Sequence, residues 1–177
     1  MKLEEKVKRV IRNVNDYPKP GIVFKDITPV LANPVLVREI VHELACRLKH
    51  EKIDAIAAVE ARGFIFGGML AHELHCGFIP VRKSGKLPYR TVVQEYSLEY
   101  GTTSIEIHDD AVQPGSRVLI HDDLLATGGT AGAAAQLVKL LGGEVAGFNF
   151  LINLSFLPGE QNLINMFGIK PSYLVSY

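Results

Sequence analysis

Leu3, Val7, Val10, Ile11 and Val14 recur at the three-to-four-residue spacing of an amphipathic helix, so residues 3–14 are predicted to be helical. Two prolines and a glycine within 16–21 stop that helix. Residues 22–24 are a short apolar run, and 26–29 read as a turn or a helix start. Val37, Ile40, Val41, Leu44, Ala45 and Leu48 mark a second amphipathic helix ending near His50. Residues 53–59 (IDAIAAV) are continuously apolar between charged flanks, the pattern of a strand buried on both faces. Helix is then predicted over 64–74 and strand over 77–81. Residues 91–100 alternate loosely, as in a hairpin, and 103–108 read as a further strand. A third apolar strand covers 117–121 (RVLIH), a helix 130–141 with Gly142 and Gly143 at its end, a long strand 144–154 and a short one 172–176. Strands alternating with helices predict an α/β fold, a parallel twisted sheet with helices on both faces. Beyond Leu154 the segment SFLPGEQNLINMFGIKPSYLVSY carries no motif that assigns it a role.

Composition narrows the class. The chain has 177 residues, and at roughly 150 residues per domain that predicts one domain, with no repeat or linker dividing it. A chain of this size buries about 70% of its unfolded surface and needs no disulfide or metal to fold. With 16 Gly and 9 Pro, collagen-like and low-complexity readings are excluded. The 19 basic and 19 acidic side chains cancel, which argues against a general nucleic-acid binder but not against a local anion site. The N-terminal stretch lacks the apolar run of a signal peptide, and no stretch is long and apolar enough for a membrane span. Cys46 and Cys76 form no CxxC and are expected to be buried thiols rather than a disulfide, in a reducing cytoplasm.

The most informative segment is 118–130, VLIHDDLLATGGT. A buried strand is expected to end in Asp122 and Asp123, followed by a small-residue loop and a helix start. Ligands of parallel sheets bind at the carboxyl ends of strands, and a helix N-terminus offers free N–H groups to an anion. Gly128 and Gly129 let the backbone close on a phosphate, and Thr127 and Thr130 add hydroxyl donors, so Ala126, Thr127, Gly128, Gly129 and Thr130 form a phosphate cradle. Carboxylates beside a phosphate must hold something else, either sugar hydroxyls or a bridging Mg²⁺. Together they imply a phosphorylated sugar. Neither GxxxxGK[ST] nor GxGxxG is present, so this is neither a Walker loop nor a dinucleotide fingerprint. The acid pair alone would also suit a tight strand-to-helix turn.

HDDLLATGGT resembles the phosphoribosyl-diphosphate (PRPP) motif of the type I phosphoribosyltransferase family. PGIVFKDITPVL, EARGFIFG and RKSGKLPYRTVVQEYSLEYG narrow the likeness to the family's adenine branch, in the same order from about residue 3 to about residue 154. The resemblance implies transfer of phosphoribose from PRPP to adenine, giving AMP and diphosphate in purine salvage. It further implies Mg²⁺ carried mainly by PRPP, with no protein side chain assigned as a metal ligand. A hood over about 1–34, a mobile lid over about 84–101 and a homodimer using the N-terminal region and the helix after EARG also follow from it.

By that resemblance, Asp122 and Asp123 hold the ribose hydroxyls and the cradle takes the 5′-phosphate. Arg62 contacts the diphosphate from a loop in which the family often has a non-proline cis peptide bond; Ala61 stands where Ser is common. Arg82, Lys83 and Lys86 supply cations for PRPP, although RKSGK alone also suits a solvated basic loop, and Ser84 replaces the usual Pro. A lid keeps water from the cationic C1′ as diphosphate departs. In it, Glu99 is a candidate for proton transfer with the base and Tyr100 a packing or phosphate-side contact. The base site is expected at Val23, Phe24 and Lys25, with Phe24 stacked on the purine, backbone bonds from Val23, and Leu124 closing the other face. Lys25 stands where many members have Arg. His121 replaces a common Val or Ile and either packs or reaches the site.

Two rival functions remain at this level. A 6-oxo purine needs a donor, often a Lys after the acids; Leu124 and Leu125 stand there instead, favouring adenine. A PRPP-sensing regulator of nucleic acid would carry a DNA-binding domain, for which the chain has no spare length. His72, His75 and Cys76 lie close in sequence but lack the four ligands of a structural zinc site.

Overall fold

The computed structural model describes residues 1–98 and 101–177. Its centre is built from strands whose successive side chains feed two cores. In β3 (Ala55–Val59), Ile56 and Ala58 enter one core while Ala57 and Val59 enter the other. That division is why the strand reads as continuously apolar rather than alternating. β4 (Gly77–Lys83) and β7 (Arg117–Leu125) flank β3 in parallel. β8 (Glu144–Asn153) and β9 (Ser172–Ser176) extend the sheet beyond β7, again in parallel. At the opposite edge β5 (Thr91–Leu98) and β6 (Gly101–His108) form an antiparallel hairpin joined to β4 through Arg82↔Glu106 and Lys83↔Ile105. The sheet order is β5-β6-β4-β3-β7-β8-β9, so the expected parallel sheet is present and carries an antiparallel edge.

One face is covered by α1 (Leu3–Val10), α2 (Thr28–Leu31), α3 (Pro34–Leu48) and α4 (Gly63–Glu73). Asn33 caps α3, its side chain accepting the Leu36 amide at 3.1 Å, with Pro34 in the first turn. The other face is covered by α5 (Gly129–Leu140) and α6 (Gly159–Phe167). The buried residues of the first half of α5 are all small, Ala131, Gly132, Ala133, Ala134 and Ala135, and the larger Leu137 and Val138 follow. No helix among the described residues is long and apolar enough to cross a membrane.

Three local expectations are corrected. The first helix stops at Val10 rather than Val14; Ile11 leaves helical geometry at ψ 127° yet stays buried. Arg12–Asn15 is a strand, β1, paired antiparallel with β2 (Val23–Asp26), with Val14 opposite Phe24. Tertiary pairing wins there because Asn13, Val14 and Asn15 are weak helix formers. Strand β7 does not end at His121: Leu124↔Ile152 and Leu125↔Asn153 keep it paired with β8, so both acids sit within the strand. α6, in the unassigned C-terminal segment, is closed by Gly168 in the left-handed region at φ 69°.

Candidate active site

β7, the loop after it and α5 bring the predicted cradle together. Gly128 turns the chain at φ 81°, and α5 begins at Gly129. Asp122, Leu124, Thr127, Gly128, Gly129 and Thr130 line a cavity of about 70 Å³ at this end of the sheet. The Thr130 hydroxyl donates to the Tyr96 hydroxyl of β5 at 3.1 Å, so the edge hairpin reaches over the cradle. From the opposite side Asn162 of α6 donates to the Thr127 carbonyl at 2.9 Å.

The acid pair is electrostatically loaded. Burial, then the neighbouring Asp123 charge, pushes the Asp122 carboxyl well above the usual carboxylate range. Asp122 Oδ1 accepts the Asp123 amide at 2.8 Å. Burial also raises Asp123, and Arg62 works against that rise. Arg62 Nε stands 3.0 Å from Asp123 Oδ2 as an ion pair. The same guanidinium lies 4.7 Å from the Phe24 ring centroid and donates to the Lys25 carbonyl at 3.3 Å. Arg62 therefore joins the acid pair to the hood strand β2.

The loop carrying Arg62 is tightly placed. The Glu60–Ala61 peptide bond is cis. Glu60 Oε2 accepts from Arg82 Nε at 3.0 Å and Oε1 from the Lys83 amide at 2.6 Å. Burial pushes the Glu60 carboxyl up, but the Lys83 amide and the Arg82 guanidinium outweigh it and hold it below its ordinary value. Gly63 opens α4 where a Cβ would stand 2.8 Å from Asp122 Oδ1 and 3.2 Å from Asp122 Cα. Only a glycine lets the loop approach the acid strand so closely.

The basic loop is organised by an acid that sequence reasoning missed. Glu106, buried between Ile105 and Ile107, accepts the Lys86 and Leu87 amides at 2.9 Å each and the Thr91 hydroxyl at 3.2 Å. Burial raises its carboxyl and these bonds outweigh it, leaving it below its ordinary value. A lone acid inside an apolar strand was the available signal. Arg82 is committed to Glu60 and to the Lys86 carbonyl, whereas Lys83 and Lys86 are exposed. Ser84, in the usual proline position, donates to Ser104 at 2.8 Å.

Val23 is exposed, while Phe24 is half-buried with Tyr17 edge-on at 5.1 Å. Lys25 offers its carbonyl to Arg62, but its ammonium turns the other way. It sits 3.9 Å from the Tyr177 ring centroid and donates to Asn13 at 2.8 Å. Leu124 is half-buried against the core under α3 and α4. Glu99 and Tyr100 lie outside the described residues. His121 is fully buried and packs: its Nδ1 is 3.0 Å from Asn149 Oδ1, while Asn149 Nδ2 donates to Ser172. Its Nε2 has no hydrogen-bond partner among the described residues, and burial pushes the imidazole down to about 4. No group of three or more metal-binding side chains occurs among the described residues, His72, His75 and Cys76 included. Tyr96 and Asn162 were also missed, because each acts through a contact distant in sequence.

The family model of the Phosphoribosyl transferase domain matches residues 27–154, which hold most of this sheet, the acid pair and the loop after β7. The adenine phosphoribosyltransferase of Cytophaga hutchinsonii is 53% identical over 161 residues, 91% of this chain and 89% of that protein. The crystal structure of the Thermoanaerobacter pseudethanolicus adenine phosphoribosyltransferase superposes with a TM-score of 0.95 at 52% identity, covering 99% of this chain and 100% of that one. The Saccharomyces cerevisiae enzyme, solved with adenine and an imino-altritol bisphosphate, gives 0.88 at 37% identity, covering 97% and 98%. The chain belongs to the adenine phosphoribosyltransferase family.

Proposed function

We propose that this protein transfers the phosphoribosyl group of PRPP to adenine, forming AMP and diphosphate. The carrying observation is the Asp122–Asp123 pair beside the cradle, joined through Arg62 to Phe24. In a dissociative displacement the C1′–oxygen bond to diphosphate breaks ahead of formation of the bond to the purine ring nitrogen, and the proton displaced from that nitrogen passes to Glu99. Asp122 and Asp123 accept from the ribose hydroxyls, and 126–130 binds the 5′-phosphate. Arg62 and the basic side chains of Arg82, Lys83 and Lys86 offset charge on the departing diphosphate. Phe24 stacks on adenine, the Val23 backbone reads its amine, the Lys25 backbone completes that edge, and Leu124 closes the other face. Residues 84–101 would serve as a lid, in which Tyr100 is a candidate packing or phosphate-side contact. Mg²⁺ would arrive on PRPP, and the carboxylate oxygens of Asp122 and Asp123 are a donor set that would suit such a hard ion. When bound, it neutralises diphosphate charge.

An apolar groove of about 710 Å³ between α3 and α4, lined by Val37, Val41, Ile65 and Met69, supports a homodimer through this face. Cys46, expected to be buried, is exposed and Cys76 is partly buried; both are free thiols, in keeping with a reducing cytoplasm.

The test is nucleotide formation from PRPP and Mg²⁺ with adenine, hypoxanthine, guanine and xanthine in competition, run at a mass established by light scattering. AMP is the expected product and a dimer the expected species. Turnover of a 6-oxo purine overturns the base assignment. PRPP binding without turnover of any base points to a regulator, and a monomeric mass removes the groove as an interface.

A further inference from the structure

The C-terminal helix α6 lies outside the matched domain, yet it touches the phosphate loop at successive peptide groups. Asn162 Nδ2 donates to the Thr127 carbonyl at 2.9 Å. One peptide earlier, the Ala126 carbonyl lies against Gly159 so closely that a Cβ on Gly159 would collide with it. Gly128 faces the same helix: a Cβ there would stand 3.0 Å from the Gly159 carbonyl and 3.4 Å from Leu163, which is itself fully buried.

A trans peptide is planar, with its C=O and N–H pointing in opposite directions. Neither the 126–127 nor the 127–128 bond is among the cis bonds of the chain. With the Ala126 and Thr127 carbonyls held towards α6, the N–H groups of Thr127 and Gly128 must point away from it, towards the cradle. A flipped plane would instead aim a carbonyl oxygen at the phosphate. This flip is cheap at a glycine such as Gly128, which tolerates both signs of φ.

We infer that Asn162 is a positioning residue for the 5′-phosphate: from α6 it fixes the peptide planes of 126–128 so that their N–H groups, not their carbonyls, face the ligand. The inference deepens the PRPP reading above and rests on it.

Calorimetric titration of AMP and of adenosine isolates the phosphate contribution. In Asn162→Leu, AMP affinity is expected to fall about five- to tenfold, the worth of one lost hydrogen bond, with adenosine affinity unchanged. KM for PRPP should rise by a similar factor while KM for adenine and kcat hold. Asn162→Ser, too short to reach the carbonyl, gives the same readout should the leucine variant fold poorly. Equal weakening of both ligands, or an unchanged AMP-to-adenosine ratio with only a lower Tm, makes Asn162 a mere packing residue and overturns the inference. A wild-type protein that neither prefers AMP over adenosine nor turns over PRPP defeats the parent reading instead, and this one with it.

Discussion

Replacing Asp122 by Asn should make this protein more stable and less active at once. The carboxyl is held well above its ordinary range by burial and by Asp123 beside it. A group whose folded pKa exceeds its unfolded value binds protons more tightly when folded, so its contribution is most favourable in acid. That contribution declines as pH rises from the unfolded carboxyl range towards the folded value. Protein at neutral pH therefore carries more of that cost than protein in acid. Asn keeps an oxygen for the Asp123 amide, which Asp122 now accepts at 2.8 Å, and removes only the charge. Relief of a poorly compensated buried polar group is worth about 1–3 kcal/mol. For a chain of this length that raises Tm by about 2–10 °C. The difference between variant and wild type should grow with pH across the acid range, which thermal melts at a series of pH values will show. Losing one of the charge-assisted bonds proposed to ribose, worth about 1.5–3 kcal/mol, lowers kcat/KM for PRPP about tenfold to a hundredfold or more. A variant less stable than wild type at neutral pH would refute the charge-burden reasoning, whatever its activity.

Two other substitutions probe the same strand from different sides. His121→Val should remove an acid sensitivity: with its imidazole pushed down to about 4, the native His contributes stability that is present above its unfolded pKa and lost as pH falls from near 6.5 towards 4. The difference is at most about 3 kcal/mol, seen as a flatter Tm-versus-pH curve for the variant; parallel curves would contradict it. Gly63→Ala forces a methyl to 2.8 Å from Asp122 Oδ1 and 3.2 Å from its Cα. About 1–3 kcal/mol of stability should be lost with at least about a tenfold drop in kcat/KM, and wild-type kinetics would mean that this close approach does not matter.

The α/β frame was legible because its central strands β3 and β7 carry continuous apolar runs and each is followed by a helix signal. The errors have specific causes. Val14 fits a helical stripe as well as it fits a strand, and only Phe24, brought opposite by the turn at 16–21, decides between them. Strand β7 outruns its apolar run because β8 offers partners as far as Asn153, so pairing continues past two acids that look like a terminus. Helix α6 did leave a trace in Leu163, Met166 and Phe167 at helical spacing before Gly168, although the start at Pro158 and Gly159 lacks a side-chain cap. At the site, the loop 126–130 was readable from residue type and order, and Arg62 only through the family resemblance. Glu106, Tyr96 and Asn162 were not, since each is defined by a partner 15 to 35 positions away. The hidden part of Lys25 was its direction: its backbone serves Arg62 while its ammonium rests on Tyr177.

The small inner face of α5 bears on how the protein could be engineered or could diverge. Ala131, Ala133, Ala134 and Ala135 let the helix lie almost flush with the sheet, and a Cβ on Gly132 would come within 3.0 Å of Met166. An added methylene there would act as a shim, lifting the helix and tilting the row of N–H groups at its start. Cavity-filling design, ordinarily a safe route to heat resistance, is thus closed along the first half of this helix, because any gain in packing would displace the helix start beside the 126–130 loop. The tolerated variation belongs on the outer face, at positions such as Lys139 and Leu140, where side chains meet solvent and leave the seating of the helix alone.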